Sequence, residues 1–71
     1  MVLTHEEMEF LKQLKAAGEH GRMVSTLNTP RALKRLVQAG YVADADVSLD
    51  LVRFRITKRG EYALSDAETF M

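Results

Sequence analysis

Apolar residues near the start of the chain recur with a helical period. Phe10, Leu11, Leu14 and Ala17 share one face, and Glu9, Lys12 and Lys15 fill positions between them. The stretch begins Leu3-Thr4-His5-Glu6-Glu7. There the Thr4 hydroxyl can cap the free amides of a first turn, and Glu7, three residues on, can reach back to the Thr4 amide: a capping box. Leu3 before the cap and Met8 after it have the spacing of a hydrophobic staple. Gly18 can take the left-handed backbone that ends a helix, so the pattern predicts a helix over 5–17.

The following stretch, Gly18 to Asn28, supports two readings. Val24 and Thr26 are β-branched, which suits a short strand, whereas Met23 and Leu27, four apart, suit one turn of helix. Periodicity then returns. Thr29 is placed as a cap, Pro30 suits a first helical position where its missing amide costs nothing, and Gly40 supplies a stop, which together predict a helix over 29–39. Leu33, Leu36 and Val37 form its apolar face, and Arg31, Lys34, Arg35 and Gln38 project from the opposite side.

Beyond Gly40 the period changes from helical to alternating. Leu51 to Thr57 places Val52, Phe54 and Ile56 on one face and Arg53, Arg55 and Thr57 on the other, the pattern of a half-buried strand. Tyr41 to Val47 alternates more weakly and is expected to be its antiparallel partner, with the turn between Val47 and Asp50. A turn centred on Ser48 and Leu49 sets Asp44 opposite Arg53 and Asp46 diagonally near Arg55, where the charges satisfy one another. Thr57 can cap a last helix whose apolar stripe is Ala63, Leu64, Ala67, Phe70 and Met71; Ser65 with Glu68 repeats the capping-box spacing, a point at which that helix could restart.

Composition narrows the class. With 71 residues, 46% of them hydrophobic and 28% charged, the chain reads as one globular domain over 1–71, too apolar for disorder. A core of this size is only just sufficient, because a chain of about 60 residues buries roughly 60% of its unfolded surface. There is no cysteine, hence no disulfide and no thiolate metal site, and self-association is one way to add burial. Apolar runs are short and the N-terminal stretch is acidic, so neither a signal peptide nor a membrane span is expected and the location expected is cytoplasmic.

Charge adds what the zero net value hides. Residues 21–43 carry Arg22, Arg31, Lys34 and Arg35 and no acid, and 51–59 carry Arg53, Arg55, Lys58 and Arg59 and no acid, while Asp44, Asp46 and Asp50 lie between the two blocks. Two basic blocks that meet on one surface would make a nucleic-acid footprint. Catalytic chemistry is thin by comparison. His5 with Glu9 and His20 with Glu19 lack a third convergent ligand, Ser25 and His20 lack a supporting acid, and no glycine-rich phosphate loop is present. Neither an enzyme, a cofactor, a metal nor a small-molecule ligand is expected.

A helix, a short connection, a helix ending in Gly, a β-hairpin and a closing helix follow the order of a winged helix-turn-helix, an α+β fold with a helical core and a small antiparallel hairpin wing. "LKRLVQAGYV" resembles the end of a winged-helix recognition helix and the entry to the wing. "LVRFRITKRGEYAL" is similar to the second wing strand and the following T-x-x-G helix start of MarR-like and PadR-like regulators. The resemblance covers about Pro30 to Leu64. Before Asn28 the chain departs from the pattern, because about ten residues between the first two predicted helices leave no room for a full-length second helix.

The resemblance implies a transcriptional regulator that binds double-stranded DNA. Asn28, Thr29, Arg31, Lys34, Arg35 and Gln38 would form the start and outward face of a recognition helix in the major groove, Arg pairing with guanine and Gln with adenine. Arg53 and Arg55 on the wing would reach the backbone or the minor groove, and Lys58, Arg59 and Arg22 would add phosphate contacts. A homodimer, paired through the first helix or the Ala63 to Met71 stripe, would set two such helices roughly 34 Å apart, one duplex turn. The alternative is a winged-helix protein-interaction module that does not bind DNA, favoured by neutrality, the reduced second helix and the acidic hairpin tip.

Overall fold

A computed structural model describes residues 3–69. The chain runs α1 (His5–Ala17), a 3-10 turn (Gly18–His20), β1 (Arg22–Ser25), a second 3-10 turn (Thr26–Asn28), α2 (Arg31–Gln38), β2 (Val42–Ser48), β3 (Leu51–Ile56) and α3 (Lys58–Thr69). The strands form one antiparallel sheet in the order β1-β3-β2. The stretch that supported two readings contains a strand followed by a single 3-10 turn. That turn stands where a second full helix would be, so the order α1-β1-α2-β2-β3-α3 is not that of a standard winged helix-turn-helix.

α1 starts as its sequence requires. The Glu7 amide donates to Thr4 Oγ1 (3.1 Å) and the Thr4 amide donates to Glu7 Oε1 (2.9 Å), satisfying two donors that the helix itself leaves free. Thr4→Ala removes the acceptor and should lower unfolding free energy by about 1 kcal/mol; a urea titration with an unchanged midpoint would show that the box contributes nothing. Gly18 ends α1 with φ of 65°, and its amide donates back to Leu14 and Lys15 carbonyls.

α2 begins differently from the sequence expectation. Thr29 does not cap it: its hydroxyl donates to the Ser25 carbonyl (3.1 Å), and Pro30 is the extended cap residue, whose carbonyl accepts from the Lys34 amide (3.3 Å). The hydroxyl lies close to the preceding 3-10 turn and is used to hold it. At the other end the Gly40 amide donates to Val37 and the Tyr41 amide to Leu36, a Schellman arrangement that needs the positive φ of Gly40, 83°.

The hairpin register also departs from expectation. The turn lies at Leu49 and Asp50, one position later than Ser48 and Leu49, and a bulge at Val47 takes up one residue of β2. Asp44 is therefore paired with Phe54 and Asp46 with Val52, while Arg53 and Arg55 pair with Ala45 and Ala43. Acids and arginines stand on opposite faces of the sheet, and the expected cross-strand neutralisation is absent. A one-residue slip exchanges the faces of a strand, and burial selects the register: Val42, opposite Ile56, is buried, as are Val52 and Phe54.

The core lies between the helices and that face. Leu11 and Leu14 of α1, Leu33 and Leu36 of α2, Val42, Val52 and Phe54 of the sheet, and Leu64 of α3 form one buried cluster, with Val24, Val37, Tyr41 and Ile56 packed against it. α3 is fastened at its first turn. The Thr57 hydroxyl donates to the Gly40 carbonyl (2.8 Å) and accepts from the Gly60 amide (3.1 Å), and the Thr57 amide donates to the Tyr41 carbonyl (3.1 Å). α3 then runs unbroken through Ser65, so the expected restart with Glu68 does not occur. Phe70 and Met71 of the predicted stripe lie outside the described residues.

Candidate nucleic-acid interface

α2 presents the basic face that its period predicts. Because Ala32, Leu33 and Leu36 are buried against α1 and the sheet, Arg31, Lys34, Arg35 and Gln38 are left exposed on the other side. Among the described residues the one ion pair is Lys12 with Glu9, at 3.9 Å, so none of these three cations is in an ion pair. The guanidinium of Arg59 lies over Gly40, extending positive charge to the C-terminal end of α2, where the helix dipole favours it. Asn28 is exposed at the end of the 3-10 turn before α2.

Of the remaining predicted residues, Arg22, Arg53, Arg55 and Lys58 are not part of that surface. Arg53 and Arg55 project from the outer face of the sheet, away from the core into which Val52 and Phe54 point. Arg55 and Lys58 line a shallow groove of about 510 Å³ with Glu19 and Glu61. Arg22 is on the core-side face at the β1 edge, where its guanidinium donates to Gln13 Oε1 of α1. Thr29 is half-buried and spends its hydroxyl on Ser25, so it offers no free hydroxyl to a phosphate. Of the second basic block Arg59 alone joins the α2 surface, so the two blocks do not merge as wholes into one footprint.

A groove of about 310 Å³ lies between α2 and the hairpin, lined by Thr29, Lys34, Val37, Gln38, Asp44, Val52 and Phe54. Its wall pairs polar groups from α2 with apolar side chains from the sheet. Asp44 belongs to it because the register turns that residue toward α2. Sequence reasoning missed this placement. The signal was Val42: a residue buried at the start of β2 requires Asp44, two positions on, to share its face.

Sequence reasoning also left unremarked the exposed apolar residues Met23, Leu27, Val47, Leu49 and Leu51 at the hairpin end. Leu51 falls on the Arg53 and Arg55 face of the β3 alternation, a signal of exposure, whereas the other four, in short strands and turns, gave none. Among the described residues, no three His, Asp or Glu side chains cluster as metal ligands would, and no helix is long and apolar enough to cross a membrane. In comparisons with known proteins, no family model matches the chain, and neither a curated protein nor a solved structure matches it significantly.

Proposed function

We propose that this domain is a reduced winged helix-turn-helix that binds duplex DNA through α2 and acts as a small transcriptional regulator. The observation that carries the reading is the exposed face of α2: Arg31, Lys34 and Arg35 project together, no acid pairs with them among the described residues, and Arg59 continues the charge past Gly40. Four cations of this kind suit a phosphate-lined groove, and Gln38 adds a side chain able to pair with adenine. The Leu33 and Lys34 amides are bonded to the Pro30 carbonyl, while the Arg31 and Ala32 amides have neither a side-chain cap nor a backbone partner among the described residues, which leaves those two able to meet a phosphate. The strand order β1-β3-β2 and the hairpin directly after α2 support the fold part of the proposal, with the Thr26–Asn28 turn in place of a second helix.

The test is a titration with mixed-sequence duplex DNA at two salt concentrations. Three or four neutralised phosphates give a log–log salt slope near −3, so affinity should fall roughly 40- to 150-fold between about 50 and 200 mM salt. Amide shifts on binding should centre on Arg31 to Gln38. Absence of binding at the lower salt would sink the proposal, because the electrostatic contribution does not depend on knowing the operator. The second reading is a protein-interaction module, and one feature favours it: Asp44 lines the same groove as Lys34 and Gln38, where it would repel a phosphate.

A further inference from the structure

Five large apolar side chains are exposed within two positions of a single rung of the sheet. Ser25, Leu51 and Ser48 are paired across the three strands, and the Thr26 amide donates to the Asp50 carbonyl (3.0 Å), drawing the second 3-10 turn against the hairpin turn. Met23 and Leu27 lie two residues either side of Ser25; Val47 and Leu49 flank Ser48; Leu51 is in the rung itself. Leu49 is 102% exposed and Leu27 is 87% exposed. Single exposed apolar residues are ordinary, but a cluster at one end of a small domain marks an interaction surface.

We propose that a second copy of this chain covers this end of the outer sheet face, forming a two-fold dimer by face-to-face packing of the hairpins. Two features favour a second copy over another partner. A two-fold interface brings the same patch to itself, so an apolar centre meets an apolar centre. Charge is also ordered along the patch: Asp50 lies at the turn and Arg53 lies two residues beyond Leu51 on the outer face. With β3 antiparallel to its copy and the axis passing between Leu51 and Val52, each Arg53 comes over the other chain's Asp50, whose carboxylate also accepts from its own Ser48 hydroxyl (3.0 Å). Ala43 and Ala45 keep the outer face low beside Arg55 and Arg53, a part of the face that Glu19 also lines. The alternative of joining β2 edges is disfavoured, since antiparallel pairing about Ala45 would oppose Asp44 to Asp46 of the copy.

The dimer leaves the exposed face of α2 free, and it stands whether or not DNA is bound. It is tested by sedimentation of the full chain from about 10 µM to about 1 mM, a range over which mass action makes association visible. The expected result is a monomer–dimer equilibrium that Leu49→Asp weakens at least about tenfold. The circular dichroism of dilute Leu49→Asp protein should not change, because Leu49 touches nothing in the monomer that its replacement would disturb. Arg53→Asp and Asp50→Arg should each weaken the dimer, and the two together should restore it. A chain monomeric throughout the range overturns the proposal, including one whose patch instead binds neutral phospholipid vesicles. A dimer indifferent to Leu49→Asp overturns it too, and assigns the contact to a helical surface.

Discussion

Gly60→Ala should destabilise the domain by about 3 kcal/mol, although Gly to Ala within a helix ordinarily stabilises by up to about 1 kcal/mol. Gly60 is in the first turn of α3, and a Cβ built there would collide with the Tyr41 carbonyl oxygen and stand 2.8 Å from Ile56 Cγ1. Neither obstacle is the free end of a flexible side chain. The Tyr41 carbonyl is held by the Thr57 amide, and the Thr57 hydroxyl connects the Gly40 carbonyl to the Gly60 amide. Relief of the clash would thus separate α3 from the end of α2 and break these bonds with it. For a domain of this size the melting temperature should fall by roughly 12 to 24 °C, at about 4 to 8 °C per kcal/mol. Gly18→Ala provides the contrast: nothing lies within 4 Å, but φ of 65° with ψ of −143° is a backbone region essentially reserved for glycine, so strain alone should cost about 2 kcal/mol. Calorimetry that found the two variants equal would show that the packing at Gly60 is not the constraint.

The same junction explains which parts of the molecule were legible in the sequence. Thr4 with Glu7, Gly40, and Thr57 three residues before Gly60 are local signals, each acting through hydrogen bonds within a few residues, and their elements begin and end close to where those signals place them. The face of α2 was legible for the same reason, since period alone divides Leu33 and Leu36 from Arg31, Lys34 and Arg35. Register was not. It depends on the bulge at Val47, which no turn residue announces, and one position of slip decides whether Asp44 faces Arg53 or Phe54. The start of α2 was misplaced by one residue: Thr29, expected as its cap, gives its hydroxyl instead to the Ser25 carbonyl four residues back, and Pro30, expected inside the helix, is the cap residue.

Replacing Arg31, Lys34 and Arg35 together with Ala should remove most measurable DNA affinity, whereas Arg53→Ala with Arg55→Ala should remove little. The three α2 residues share one exposed helical face; the two strand residues point from the far side of a sheet whose core face packs against α2. A duplex docked on α2 cannot also bring its backbone to that far side without bending around the domain. Each cation withdrawn from a phosphate should flatten the log–log salt slope by about 1, so the triple variant should keep a slope no steeper than about −1, from Arg59. Arg35→Ala alone separates two roles: a loss of about 1 to 3 kcal/mol confined to certain sequences marks a base reader, and a smaller loss uniform over sequences marks a phosphate partner. Folding does not confound the comparison, because all five side chains are exposed and Ala suits a helix at least as well as Arg or Lys. Equal losses from the strand pair and the helix triple, measured at protein concentrations where the chain is monomeric, would require the duplex to touch the outer sheet face. That face is also where the hairpin dimer would form, so DNA binding and dimerisation would then compete, and the affinity would fall rather than rise with protein concentration.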